Sequence, residues 1–106
     1  MSENLARKLE KNLESLELFR SLDAQFPVQY MICLHHIALK PGISISELAE
    51  DTNIKLSTVS RIIGALSQWR SNNAPYGLID VRPSATERRK KSLFLTPKGE
   101  ALLARI

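Results

Sequence analysis

ISISELAEDTNIKLSTVSRIIGALSQW, residues Ile43 to Trp69, reads as two short helices joined by a tight turn, and that reading decides the fold. Ser44 and Glu47 have the spacing of a capping box, which satisfies free amides at a helix start, and Ser46 is a rival cap. Leu48 and Ala49 face inward. Asn53 falls where the turn needs a residue tolerant of positive φ, a place Asn takes when Gly is absent, and Ile54 closes the corner. In the second helix Leu56, Val59, Ile63 and Leu66 recur at i, i+3, i+7 and i+10, widened by Ile62 and Trp69, which predicts a buried stripe. The other face, Ser57, Thr58, Ser60, Arg61, Gly64, Ser67 and Gln68, is small and polar. There is no acid between Asp51 and Asp80. A solvated face would carry Glu and Lys, whereas a thin face with hydroxyls and a guanidinium suits a DNA major groove.

Outward from this motif, Leu5, Leu9, Leu13, Leu16 and Phe19 recur at helical spacing, with Leu18 and Leu22 adjoining, so residues 1–24 hold an amphipathic helix. Such a helix packs on its own domain or pairs with the same helix of a second chain, and the small core favours pairing. Residues 25–106 then form the second unit. Pro27 suits a first helical turn, and the apolar run to Leu39 predicts a helix buried on most sides that stops at Pro41-Gly42. Within it Cys33 reads as a small buried hydrophobe. His35 and His36, adjacent on a helix, cannot face one metal together. After the motif, Arg70 to Tyr76 reads as a loop. Gly77 to Arg82 and Ser92 to Thr96 read as the strands of a hairpin with a long tip. Thr96 and Pro97 then start a short helix whose Leu102, Leu103 and Ile106 face back.

The 106 residues carry a net charge of +4, and their 43% hydrophobic and 25% charged content is that of a globular protein. The charge is uneven. Arg82, Arg88, Arg89, Lys90 and Lys91 crowd the hairpin against the single acid Glu87, whereas residues 1–24 hold five acids and four bases. A basic tip points to an anionic partner. One cysteine excludes an internal disulfide and agrees with a reducing cytoplasm, and no segment has the length and apolarity of a membrane span. Catalysis finds no support, since there is no Ser-His-Asp set, phosphate-cradling glycine loop or spaced ligand cluster. No cofactor or metal is expected.

Helix, helix, a short strand at Ile43 to Ile45, a two-helix motif, a hairpin and a helix make a mainly α protein with a small β wing (α+β), a winged helix-turn-helix. Over roughly residues 27 to 103 the chain resembles the MarR-family transcription regulators. The resemblance is carried by Pro27-x-Gln29, by the motif itself, and by Gly77-Leu78-Ile79, Glu87-Arg88-Arg89 and Leu95-Thr96-Pro97-Lys98-Gly99. It implies a recognition helix in the major groove with Lys55, Ser57, Thr58, Ser60, Arg61 and Gln68 toward DNA. It also implies a wing of Arg82, Arg88, Arg89, Lys90 and Lys91, with Arg89 entering the minor groove and Glu87, in place of the usual Asp, supporting it.

The chain departs from the family in the Arg70 to Tyr76 loop, in Lys55 at the N-cap of the recognition helix, and in lacking the long C-terminal helices that build the family's dimer. Dimerisation therefore falls to Leu5, Leu9, Leu13, Leu16 and Phe19, and no small-molecule effector is assigned. The expected function is a sequence-specific regulator that binds double-stranded DNA as a homodimer, a repressor because occlusion needs only binding. It is expected to be cytoplasmic and nucleoid-associated, of prokaryotic or viral origin. The alternatives are a plasmid or viral replication or partition factor and a protein-interaction module.

Overall fold

The computed structural model describes residues 1–67, 76–87 and 90–106. Expectations for Gln68, Trp69, the loop from Arg70, Arg88 and Arg89 lie outside the described residues. The elements are α1 (Glu3–Leu22), α2 (Val28–Leu39), β1 (Ile43–Ser44), α3 (Ile45–Thr52), α4 (Leu56–Leu66), β2 (Ile79–Pro83), β3 (Lys91–Leu95) and α5 (Pro97–Leu103). The sheet is antiparallel in the order β1-β3-β2, with Ile43 opposite Leu93 and Val81 opposite Leu93 on the other side.

Local chemistry sets each junction of the α3–α4 motif. Ser44 Oγ accepts from the Glu47 amide at 3.1 Å, and the Ser44 amide donates to Glu47 Oε1 at 3.3 Å, completing the capping box. Ser46 loses the competition and bonds the Ser44 hydroxyl instead. At the other end of α3, Asn53 is left-handed (φ 57°, ψ 29°) and Thr52 Oγ1 accepts from the Ile54 amide at 3.3 Å, closing the turn. Lys40, just past α2, reaches Glu47 at 3.2 Å and Asp51 at 3.8 Å, strapping α2 to α3. The hydrogen bond from Lys40 lowers the Glu47 pKa and raises that of Lys40.

Leu34, Ile37, Ile43, Leu48, Val59, Leu66, Leu78, Ile79 and Leu93 fill the core, so every element from α2 to β3 contributes to it. The C-terminal corner is locked by its hydroxyl cap. Thr96 Oγ1 donates to the Gly77 carbonyl at 2.7 Å and accepts from the Gly99 amide at 3.1 Å, while the Thr96 amide donates to the Leu78 carbonyl at 3.0 Å. Lys98 Nζ adds a bond to the Tyr76 carbonyl at 2.8 Å. Gly99 is buried in this corner, and a Cβ there would strike the Leu78 carbonyl oxygen.

Several expectations are corrected. Leu56 is 53% exposed rather than part of the buried stripe, because it starts α4 one turn beyond the body that covers Val59. Ser67, expected on the polar face, is buried, and its hydroxyl donates to the Gly64 carbonyl. The helix α2 is not buried on most sides, for Val28, Ile32 and Leu39 are exposed along one edge. Phe19 belongs to the chain's own core at 2% exposure, stacked on Phe26 with ring centroids 5.4 Å apart. Phe26 in turn meets Tyr76 edge-on at 5.0 Å, and the Tyr76 hydroxyl donates to Asp23 Oδ2 at 2.6 Å. The expected first strand is shorter by a residue, since Ile45 already begins α3. The hairpin strands begin later or earlier than expected, at Ile79 and Lys91.

Cys33 is fully buried, and burial pushes its thiol up to about 11 from an ordinary 9.0. A two-unit rise lowers the thiolate fraction about 100-fold at pH 8. Alkylation of the native protein should therefore be slower than that of the urea-unfolded chain by at least about this factor. Equal rates would mean that the thiol is accessible.

Candidate nucleic-acid interface

The face of α4 turned away from Val59, Ile62, Ile63 and Leu66 carries Ser57, Ser60 and Arg61, all exposed, with Thr58 half-buried at its edge. Lys55 holds the N-cap without a side-chain hydrogen bond, so its ammonium is left to the surface and the first amides of α4 have no side-chain acceptor from the cap. Among the described residues no acid pairs with Lys55 or Arg61. An exposed guanidinium flanked by hydroxyls is the donor and acceptor set that base edges and phosphates require. Leu56 stands beside it at the very start of the helix.

The wing is built from β2 and β3, whose last pair is Pro83 opposite Lys91. Beyond it the tip is ordered by Ser84, whose amide donates to the Lys90 carbonyl at 2.9 Å and whose hydroxyl accepts from the amides of Thr86 and Glu87 at 3.3 Å. Glu87 faces Lys90 at 3.5 Å across this turn. Arg82 lies on the strand rather than at the tip. Its Nε bonds Asp80 Oδ2 at 2.8 Å and its guanidinium sits 4.5 Å above the Phe94 ring, so this cation is held along the sheet. Lys90 and Lys91 are exposed.

The geometry relating helix to wing comes from the sheet. Because β1 leads directly into α3 and pairs with β3, the wing and the motif share hydrogen bonds, among them the Gly42 amide to the Leu93 carbonyl at 2.8 Å. The helix pair and the strands of the wing are therefore joined through one sheet. Sequence reasoning missed the Asp80 and Phe94 contacts that hold Arg82; the i, i+2 spacing of Asp80 and Arg82 on one strand face was the available signal.

Residues 34–68 match the family model described as winged helix-turn-helix DNA-binding. No curated protein sequence matches the chain. Solved structures do. A structure of MarR is 24% identical with a TM-score of 0.66, covering 94% of this chain and 70% of that one. FabT of Streptococcus pneumoniae, solved in complex with DNA, is 20% identical with a TM-score of 0.65, covering 93% and 66%. A further MarR family transcription regulator is 25% identical with a TM-score of 0.66, covering 93% and 61%. The chain thus spans about two thirds of the length of the structures it resembles. Residues 34–68 thus match the winged helix-turn-helix DNA-binding model, and nearly the whole chain has the fold of these MarR-type structures.

Proposed function

We propose that the protein is a sequence-specific transcription regulator that binds double-stranded DNA as a homodimer and represses by occupying promoters. The observation that carries this reading is the exposed, acid-free face of α4 with Lys55, Ser57, Ser60 and Arg61, in a fold whose sheet also carries a basic wing. In this reading α4 enters the major groove, Thr58 and Gln68 add to the residues that meet DNA, and the wing residues Arg82, Arg88, Arg89, Lys90 and Lys91 follow the backbone, with Arg89 in the minor groove supported by Glu87. A single guanidinium gains in a narrow minor groove, where negative potential is concentrated. That FabT, which shares this fold, was solved in complex with DNA supports DNA as the partner. Residues 1–24 supply the dimer contacts through Leu5, Leu9, Leu13 and Leu16, which form an exposed apolar stripe on α1. The site of action is the cytoplasm, at the nucleoid, for a protein of prokaryotic or viral origin.

Footprinting against the DNA flanking the protein's own coding sequence tests this. Protection of two inverted halves about one helical turn apart at a promoter is the expected result. Protection confined to an origin would reassign the protein to replication or partition. Absence of protection on any duplex at low salt would overturn DNA binding altogether.

The wing makes a separate prediction. Each neutralised phosphate adds about 0.9 to the slope of log affinity against log salt. Replacing Lys90 and Lys91 together by Ala should lower that slope and weaken operator and random DNA alike. A loss confined to the operator would make these lysines base contacts instead.

A further inference from the structure

Among the described residues, Leu56 is the one large apolar side chain that α4 exposes, and it stands at the first position of the helix. Its neighbours make no apolar patch of it. Lys55 and Ser57 flank it in sequence, and Ser60, four residues on, is exposed about 40° round the helix axis from it. Val59 and Ile63, which share its period, are buried further along α4, so Leu56 overhangs the body instead of joining it. A first helical turn ordinarily favours acids, Pro or small polar residues, which complement the helix dipole and the free amides. A leucine does neither. Docking of a protein needs a contiguous apolar area, whereas this side chain stands alone beside a cation and two hydroxyls.

We infer that Leu56 is a specificity-determining residue that reads a thymine through its 5-methyl group in the major groove. This deepens the proposed binding of double-stranded DNA and rests on it. A lone apolar side chain set among polar groups fits a lone apolar group set among hydrogen-bonding atoms, and the thymine methyl is that group on the floor of the major groove. Position agrees with chemistry. In a helix-turn-helix the N-terminal residues of the second helix meet the base edges, and Leu56 is the first residue of α4. The start of α4 has no side-chain cap and carries the exposed Lys55, which together suit a phosphate at the groove's rim and leave Leu56 to the bases. A cytosine at the same place offers no methyl, and its exocyclic amino group loses water against the leucine without gaining an acceptor. Burial of one methyl corresponds to about a fourfold gain in affinity, and to about 15-fold when both halves of a two-fold site carry the thymine.

The test uses the full chain and the operator defined by footprinting. Deoxyuridine pairs as thymidine does and lacks only the 5-methyl, so replacing the thymines one symmetric pair at a time removes methyls and nothing else. At one such pair wild-type affinity should fall about 15-fold. At that pair Leu56→Ala should bind the thymine and uracil duplexes equally and match the wild type on uracil. Leu56→Met keeps an apolar reach and should retain the preference. The side chain is exposed and Ala favours helix, so circular dichroism should be unchanged. Wild-type affinity indifferent to every thymine methyl, or a uracil penalty that persists in Leu56→Ala, would overturn the leucine's role while leaving DNA binding standing. So would an equal loss by Leu56→Ala on both duplexes, which is the mark of a sugar contact. Absence of any protected duplex would overturn DNA binding and this inference together.

Discussion

Gly99→Ala should unfold the C-terminal corner at a cost of about 2–3 kcal/mol. A helix interior ordinarily prefers Ala to Gly by about 1 kcal/mol, so the naive expectation has the opposite sign. Here the new methyl would meet the Leu78 carbonyl oxygen, with the Leu78 carbonyl carbon at 3.2 Å and Leu95 Cδ2 at 3.4 Å behind it. The carbonyl cannot retreat cheaply. It already accepts from the Thr96 amide, and Thr96 Oγ1 bridges Gly77 and Gly99, so moving α5 outward strains the bonds that hold the Gly77–Leu78 segment to the start of the helix. Overpacking typically costs 1–3 kcal/mol, and a backbone collision lies at the upper end. At roughly 4–8 °C per kcal/mol for a domain of this size, the thermal midpoint should fall by about 10 °C or more. An unchanged or raised midpoint in calorimetry would show that the corner yields.

Arg61→Ala is the largest effect expected on recognition. The side chain is exposed on the same face as Ser57 and Ser60 and has no acidic partner among the described residues, so its removal leaves no buried charge behind and stability should change little. A guanidinium bonded to a base edge contributes roughly 1–3 kcal/mol to discrimination. Operator affinity should therefore fall by about tenfold to a hundredfold while random DNA is bound almost as before. Competition titrations with both DNAs read the difference directly. Equal losses would make Arg61 a phosphate contact.

What could be read from residues alone was what depends on neighbours in sequence. Ser44 with Glu47 and Thr96 with Pro97 announce helix starts through bonds reaching three residues, and Asn53 takes the left-handed turn, whereas Pro27, expected in the first turn of α2, stands one residue earlier as its extended N-cap. The periodicity of Val59, Ile63 and Leu66 likewise named a face that is buried. Leu56 obeys the same period yet is exposed, because periodicity gives a direction around the helix axis and not whether any body stands in that direction. Val28, Ile32 and Leu39 fail for the same reason. Phe19 shares the α1 spacing of the leucines but lies where α1 reaches the body, so Phe26 covers it. At the interface, the polar face of α4 was legible, while the fixing of Arg82 by Asp80 and Phe94 depended on strand register, which composition does not encode.

The strand order β1-β3-β2 also has a consequence for how the protein is made. A ribosome releases Ile43 and Ser44 some fifty residues before Ser92 and Leu93, their sheet partners among the described residues. Until then the nascent helix pair has no sheet, no wing and no corner at Leu78, and closing a loop of that length precedes any reward from it. The sheet that joins the helix pair to the wing therefore comes into being only as residues 79–95 emerge, well after α3 and α4 have been released.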